Sequence, residues 1–268
     1  MVKKRNRYEK IIEDIFFNYF KEGTKELTFS RQDIVSAANK LGIKLPKNLG
    51  DVIYSFRYRS ELPHSIKSKA PKNAEWIIRP AGRAIYKFVA VSTAQITPSG
   101  MLARIKIPDA TPGIIEKYAL SDEQALLAKL RYNRLVDIFT GLACYSLQNH
   151  LRTAIPGIGQ VETDEIYIGI DRSGIHYIIT VQAKGGTDKI GIVQIEQDIE
   201  ICKYKFPHLV CKPLAAQFVA DNVICLFEFV EIEDQIKIAN EKQYKLVPPD
   251  ELTIEEIESY RKASLVKM

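Results

Sequence analysis

The sequence predicts an α/β protein in which a mixed β-sheet core, flanked by helices, follows a smaller helical module. Apolar residues on both sides of a Ser173-Gly174 turn predict a hairpin over residues 162–184. Continuous apolar runs over residues 209–219 and 222–230 are typical of buried strands. Apolar residues recur at helical spacing before residue 60 and again between the hairpin and residue 209, which predicts helices in both places.

Charge is distributed unevenly along the 268 residues, although the net charge is only +5. Residues 1–90 contain 19 Lys and Arg against 9 Asp and Glu, whereas the remainder contains 19 against 24. A basic part that holds a polyanion, followed by an acidic part that holds a metal, would account for this asymmetry. The alternative is an ordinary solvated basic surface.

Three segments are predicted: a basic domain over residues 1–91, a linker or arm over 92–120, and a larger domain over 121–268. The linker is indicated by its frequent proline and glycine residues. Its Arg104 and Lys106 would either lie along DNA or be solvated. In the third segment, Ser121 and Gln124 form a possible capping box that opens a helix.

The basic domain has the layout of a winged helix-turn-helix. Residues 8–21 carry a helical apolar stripe, and residues 27–29 are short and extended. Ser30 and Asp33 form a predicted capping box for a second helix, which Gly42 ends. Pro46 is expected to open a third helix, and strands over residues 75–79 and 84–89 would form the wing.

In a winged helix, the third helix enters the major groove of DNA. Side chains on this helix or the wing that can reach phosphates or base edges are the candidate DNA contacts. They are Lys47, Asn48, Tyr54, Arg57, Arg59, Arg79 and Arg83. Winged helices also mediate protein contacts, which is the alternative function for this domain.

The predicted hairpin brings two carboxylates, an amide and an ammonium group together. Side chains alternate along a strand, so Glu162 and Asp164 share one face, and Gln182 and Lys184 share a face of the next strand. A turn near residue 173 places Asp164 opposite Gln182. A carboxylate that holds a hard cation and an ammonium that stabilises a phosphate suit metal-dependent phosphodiester cleavage. The alternative is a surface hairpin with solvated charges.

Asp164 followed by Gln182-Ala-Lys184 resembles the PD-(D/E)xK nuclease superfamily, the fold of most restriction endonucleases. The match is to its Gln-x-Lys variant, as in Mrr-like restriction nucleases, and covers roughly residues 120–230. Two departures stand out, since no proline precedes Asp164 and glutamine replaces the usual second acid. The resemblance implies a restriction endonuclease-like core in the larger domain.

The resemblance also implies a set of roles. Asp164 and Gln182 would bind Mg²⁺, with Mn²⁺ as a substitute, and Lys184 would orient or deprotonate the attacking water. An amide is a poorer ligand than a carboxylate for a hard cation, so a further acid is expected. Glu162 is the first candidate because it shares the face of Asp164. The other candidates are Glu165, which alternation points away, Glu196 on the following helix, and Glu123, which is otherwise a solvent-facing first-turn residue.

These features predict a Mg²⁺-dependent endodeoxyribonuclease that cleaves double-stranded DNA, as a sequence-specific type II restriction endonuclease and a homodimer. The alternatives are a modification-dependent nuclease and a non-catalytic DNA-binding regulator with a degenerate nuclease fold. The four cysteines lack C-x-x-C spacing, which favours buried thiols in a reducing compartment. No apolar run is long enough to span a bilayer, so we expect a cytoplasmic protein without a membrane partner.

Overall fold

The computed structural model describes residues 6–118, 122–185, 188–220, 222–233 and 235–265. The chain divides into two compact units. The first consists of Met1–Ile96, Arg152–Val161 and Gly191–Gln197, and the second of Thr97–Leu151, Glu162–Ile190 and Asp198–Met268. Each unit has a hydrophobic core of its own.

The secondary structure is mixed α/β. The helices are α1 (Arg7–Tyr19), α2 (Arg31–Leu41), α3 (Gly50–Tyr54), α4 (His64–Lys67), α5 (Gly113–Tyr118), α6 (Asp122–Tyr132), α7 (Leu135–Thr140), α8 (Ile192–Lys205) and α9 (Ile254–Leu265). A π turn (Ser55–Arg59) follows α3, and a 3-10 turn (Pro249–Glu251) precedes α9. The strands are β1 (Glu26–Ser30), β2 (Glu75–Gly82), β3 (Ile85–Val91), β4 (Gln95–Ile96), β5 (Arg104–Pro108), β6 (Ala143–Ile155), β7 (Gly159–Ile170), β8 (His176–Lys184), β9 (Ile190–Gly191), β10 (Val210–Ala220), β11 (Val223–Ile232) and β12 (Gln235–Val247).

The first unit contains the helices and strands predicted for the basic domain, in the predicted order. Its antiparallel sheet has the order β1-β3-β2. The ring of Phe16 on α1 lies 5.3 Å from that of Trp76 and 5.1 Å from that of Phe88, so the sheet packs on α1. The third helix begins at Gly50 rather than at Pro46, and the residues between them are not helical.

The predicted capping box of α2 is confirmed. Asp33 accepts hydrogen bonds from the Ser30 N–H (2.7 Å), the Ser30 hydroxyl (2.7 Å) and the Tyr19 hydroxyl (2.8 Å). Burial alone would raise the pKa of Asp33, but these hydrogen bonds hold it below the usual value of 3.8. The ionised carboxylate therefore stabilises the folded protein.

Asp33→Ala is expected to lower the free energy of unfolding at neutral pH by about 1 kcal/mol, because α2 loses its capping box. A carboxyl group whose pKa is lower in the folded than in the unfolded protein stabilises the fold at pH values above its unfolded pKa. This stability is lost as the pH falls through the pKa of the folded protein. The deficit should therefore shrink below about pH 3.8. Urea titrations at several pH values, followed by the fluorescence of the single tryptophan, Trp76, measure this difference in the free energy of unfolding. Glu22→Ala, at an exposed acid, is the control, and a deficit that does not change with pH would contradict the prediction.

The second unit is built on a seven-stranded mixed sheet with the order β5-β12-β11-β10-β8-β7-β6. Strands β8 and β10 pair in parallel, and α8 forms the crossover connection that a parallel pair requires. Strand β11 pairs antiparallel with both β10 and β12. The predicted order of hairpin, helix, strand and strand is thus confirmed for β7 through β11. Val181 and Ala183 point into the core, where they meet Leu126 and Leu127 of α6.

Other parts of this unit differ from the prediction. Residues 104–108, predicted as part of a linker, form the edge strand β5, and Ile105 and Ile107 pack on the core. Lys106 is paired with Glu256 at 2.8 Å. One helix was predicted after residue 121, but α6 and α7 are separate because Arg134 adopts a left-handed φ of 51°. Ser121, the first residue of the predicted capping box, lies outside the described residues.

Throughout the described ranges, every helix is too short or too polar to cross a membrane.

Candidate active site

The candidate site lies where β7 and β8 diverge. The described pairs between these strands begin with Ile170 opposite His176 and end with Glu165 opposite Val181. Asp164 and Gln182 therefore stand opposite each other one step beyond the last pair, as predicted. Here side chains bind the backbone groups of the opposite strand. The Ala183 N–H donates to Asp164 Oδ2 at 2.8 Å, and Gln182 Nε2 donates to the Glu162 carbonyl at 3.2 Å. Buried backbone groups thus stay paired although the strands separate.

Glu123 reaches this site from α6. Its Oε1 lies 3.2 Å from Lys184 Nζ, and the Lys184 side chain is only 16% exposed. Glu123 precedes Leu126 and Leu127 by three and four positions, so it shares the helical face that packs on the sheet. The Glu123 side chain is 42% exposed, so it faces solvent, as expected of a first-turn residue, and also contacts Lys184.

The charges of Lys184 and Glu123 both act on the carboxyl group of Asp164. Burial raises the pKa of Asp164, the Ala183 N–H and the Lys184 ammonium lower it, and the Glu123 carboxylate raises it again. Asp164 and Glu123 thus repel each other in a partly desolvated place, with Lys184 beside both. A bound cation would relieve this repulsion, since an opposite charge favours the ionised carboxylates.

His150 lies at the edge of the site in an unusual backbone conformation. It has a left-handed φ of 49° within β6, which is uncommon for a residue other than glycine. Its Nε2 is 3.1 Å from Gln124 Nε2, and its Nδ1 is 3.9 Å from Glu162 Oε1. The Glu162 carboxylate therefore has a histidine contact, and its role as a metal ligand stays a prediction.

Asp198 of α8 lies behind Gln182 and was not predicted as a site residue. It is fully buried, and its Oδ1 accepts a hydrogen bond from Gln182 Nε2 at 2.9 Å. Burial raises the pKa of Asp198 well above its usual value, and the charge of Asp164 raises it further. A sequence signal existed, because Asp198 follows Ile195 by three positions and precedes Cys202 by four, on the buried face of the helix.

The other two candidate acids are placed elsewhere. Glu165 is fully buried on the opposite face of β7, as alternation predicted, where it accepts from the Ser146 hydroxyl at 2.8 Å and lies 3.1 Å from Arg131 Nε. Glu196 accepts from Arg79 Nε at 2.9 Å. Of the four candidate acids, Glu123 and Glu162 are thus the two that remain as possible partners of Asp164.

The predicted DNA contacts of the first unit occupy varied positions. Lys47 is exposed before α3, Tyr54 is exposed at its end, and Arg83 is exposed in the turn between β2 and β3. The Tyr54 ring lies 4.7 Å from that of Tyr58, and three further predicted residues also have contacts within the protein. The Asn48 amide donates to Asp51 Oδ1 and accepts from the Gly50 N–H at the start of α3. Arg57 lies 4.9 Å from the Tyr58 ring, and Arg79 donates to Glu196. The Arg59 side chain lies outside the described residues.

The oxygen donors at the site suit Mg²⁺. No group of three or more His, Cys, Asp or Glu side chains that could hold a metal occurs within the described ranges. However, Mg²⁺ is usually held by one or two carboxylates and keeps several of its waters. Asp164 and Glu123, with the amide of Gln182 between the strands, are the residues that could hold such an ion.

Known proteins supply no further guide to this site. A scan against protein-family models found no matching family, and searches of curated proteins and of solved structures found no match to the chain.

Proposed function

We propose that this protein is a Mg²⁺-dependent endonuclease that cleaves double-stranded DNA, as a restriction endonuclease of the cytoplasm. The observation that carries the proposal is the proximity of Asp164, Glu123 and Lys184: Lys184 Nζ lies 3.2 Å from Glu123 Oε1, and both charges act on Asp164. Two carboxylates and an ammonium next to a polar amide are suited to phosphodiester hydrolysis. The order of β7, β8, α8 and β10 supports the resemblance to PD-(D/E)xK nucleases.

Each side chain has a distinct role in the proposed reaction. Asp164 and Glu123 would hold the metal, with the Gln182 amide oxygen and a backbone carbonyl near Ala183 as further donors. When bound, Mg²⁺ would polarise the phosphate and lower the pKa of an attacking water. Burial raises the pKa of Asp164, and the Ala183 N–H, which fixes one of its oxygens, offsets part of that rise.

Lys184 would act on the phosphate and the water. Glu123 holds its ammonium at 3.2 Å, so the charge is positioned before DNA binds. A preorganised charge in a partly buried site stabilises developing negative charge more than a solvated one does. Lys184 would thereby stabilise the transition state and orient the attacking water.

The first unit would bind the DNA as a winged helix. Support comes from its β1-β3-β2 sheet, its helix order and the excess of basic residues over 1–90. Lys47, Tyr54 and Arg83 are exposed on the surface of this unit. A homodimer would match the two-fold symmetry of a restriction site.

Plasmid cleavage tests the proposal. Purified protein is incubated with methylated and with unmethylated plasmid, in Mg²⁺ and in EDTA. We expect discrete fragments in Mg²⁺ and intact plasmid in EDTA. Cleavage of methylated DNA alone would assign a modification-dependent nuclease. Retarded but uncut DNA under every condition would refute the nuclease and favour a regulator.

A further inference from the structure

The orientation of the Gln182 amide decides what the site can bind. A primary amide has an oxygen that accepts and a nitrogen that donates, and only the oxygen can face a cation. The two ends have nearly the same shape, so packing alone selects between them poorly. Hydrogen-bond partners must make the choice.

Two acceptors hold the nitrogen end of this amide. Gln182 Nε2 lies 2.9 Å from Asp198 Oδ1 and 3.2 Å from the Glu162 carbonyl oxygen. A flipped amide would place its oxygen against the Glu162 carbonyl oxygen, which has no hydrogen to donate, and would lose the N–H that Asp198 Oδ1 accepts. Gln182 is 2% exposed and Asp198 is fully buried, so water cannot replace these bonds.

We infer that Asp198 is a positioning residue, which fixes the Gln182 amide so that its oxygen is presented on the side of the proposed metal. This inference rests on the proposed function, because it assumes that a cation is bound beside Asp164. It also explains why glutamine stands at position 182. A carboxylate there would have no hydrogen for the Glu162 carbonyl and would face the buried carboxyl group of Asp198.

Metal binding tests the inference without catalysis. Mn²⁺ is titrated into the full-length protein, and the free ion is measured by electron paramagnetic resonance. Asp198→Leu removes the acceptor and is expected to weaken Mn²⁺ affinity about 10–100-fold, as loss of an outer-shell partner does. Asp198→Asn keeps an acceptor oxygen and should stay within about threefold of the wild type. Cys202→Ala, at a buried position one turn further along α8, is the control for packing, and Asp164→Asn should abolish binding at this site.

A paired exchange tests the same hydrogen bond and guards against misfolding of Asp198→Leu. Gln182→Glu alone places two carboxyl groups together and is expected to lower Tm by about 4–8 °C. Adding Asp198→Asn supplies an N–H that can donate to the introduced carboxylate. The double variant should recover more than half of the lost Tm and bind Mn²⁺ at least as well as Gln182→Glu does.

The outcomes separate the inference from the nuclease proposal. Unchanged Mn²⁺ affinity in Asp198→Leu, absence of Mn²⁺ binding by the wild type, or a double variant no more stable than Gln182→Glu would overturn the inference. A protein that binds Mn²⁺ in an Asp198-dependent manner but cuts no DNA would refute the nuclease proposal and still support the positioning role.

Discussion

Lys184→Ala is expected to slow DNA cleavage by about 10²–10³-fold, because the site loses the positioned charge that stabilises the reacting phosphate. Binding of DNA should change little, since many basic side chains share the contact with the phosphate backbone. Single-turnover cleavage of plasmid in saturating Mg²⁺ measures the first quantity. Fluorescence anisotropy with a labelled duplex measures the second. The loss should therefore appear in the rate constant rather than in the affinity.

Lys212→Ala is the matched control for this experiment. Lys212 is also a partly buried lysine paired with an acid, Glu228, in the same unit. Its removal should leave the cleavage rate within about threefold of the wild type. If Lys184→Ala cleaves at the wild-type rate, the proposed site is not the catalytic centre. Equal losses in both lysine variants would indicate a general effect on folding instead.

Glu123→Gln is expected to lower cleavage at low Mg²⁺ by about 10–100-fold and to raise the Mg²⁺ concentration required for half-maximal rate. Glu123 carries the second carboxylate that acts on Asp164, and an amide is a poorer ligand for a hard cation. Glu162→Gln should change both quantities by less than about threefold, because the carboxylate of Glu162 contacts His150. Its carbonyl, which Gln182 binds, is unaffected by the substitution.

The Mg²⁺ dependence of the rate is the measurement that separates these two acids. Glu123 also holds Lys184, so its replacement could slow the reaction through the lysine alone. In that case the rate would fall without a change in the half-saturating Mg²⁺ concentration. A larger shift in Glu162→Gln than in Glu123→Gln would reverse the assignment and restore Glu162 as the compensating acid.

The hairpin that carries Asp164, Gln182 and Lys184 could be predicted because its signals are local. The turn is closed by Asp171, whose Oδ1 accepts from the Ser173 and Ile175 N–H groups, and Gly174 has the positive φ of 79° that glycine tolerates. Once the turn is set, the two-residue period of the strands decides which side chains share a face. The register of Asp164 opposite Gln182 follows from these two facts.

Strand β6 and the first part of β12 were missed because they bury little of either face, whereas β5 was missed because the prolines and glycines around it indicated a linker. β5 and β6 are the edges of the sheet, and most β6 side chains are exposed on both faces. The first part of β12 is exposed as well. A strand that buries neither face gives no apolar alternation, so its sequence resembles that of a loop.

The sequence by itself determined the strands of the hairpin, the opposition of Asp164 and Gln182, and the basic character of the first ninety residues. Only the tertiary structure decided which acids surround them, namely Glu123 beside Lys184 and Asp198 behind Gln182. Helical spacing shows which face of α6 or α8 is buried, but not how far along a strand that face lies. That position is set by packing between residues distant in the chain, which no local pattern encodes.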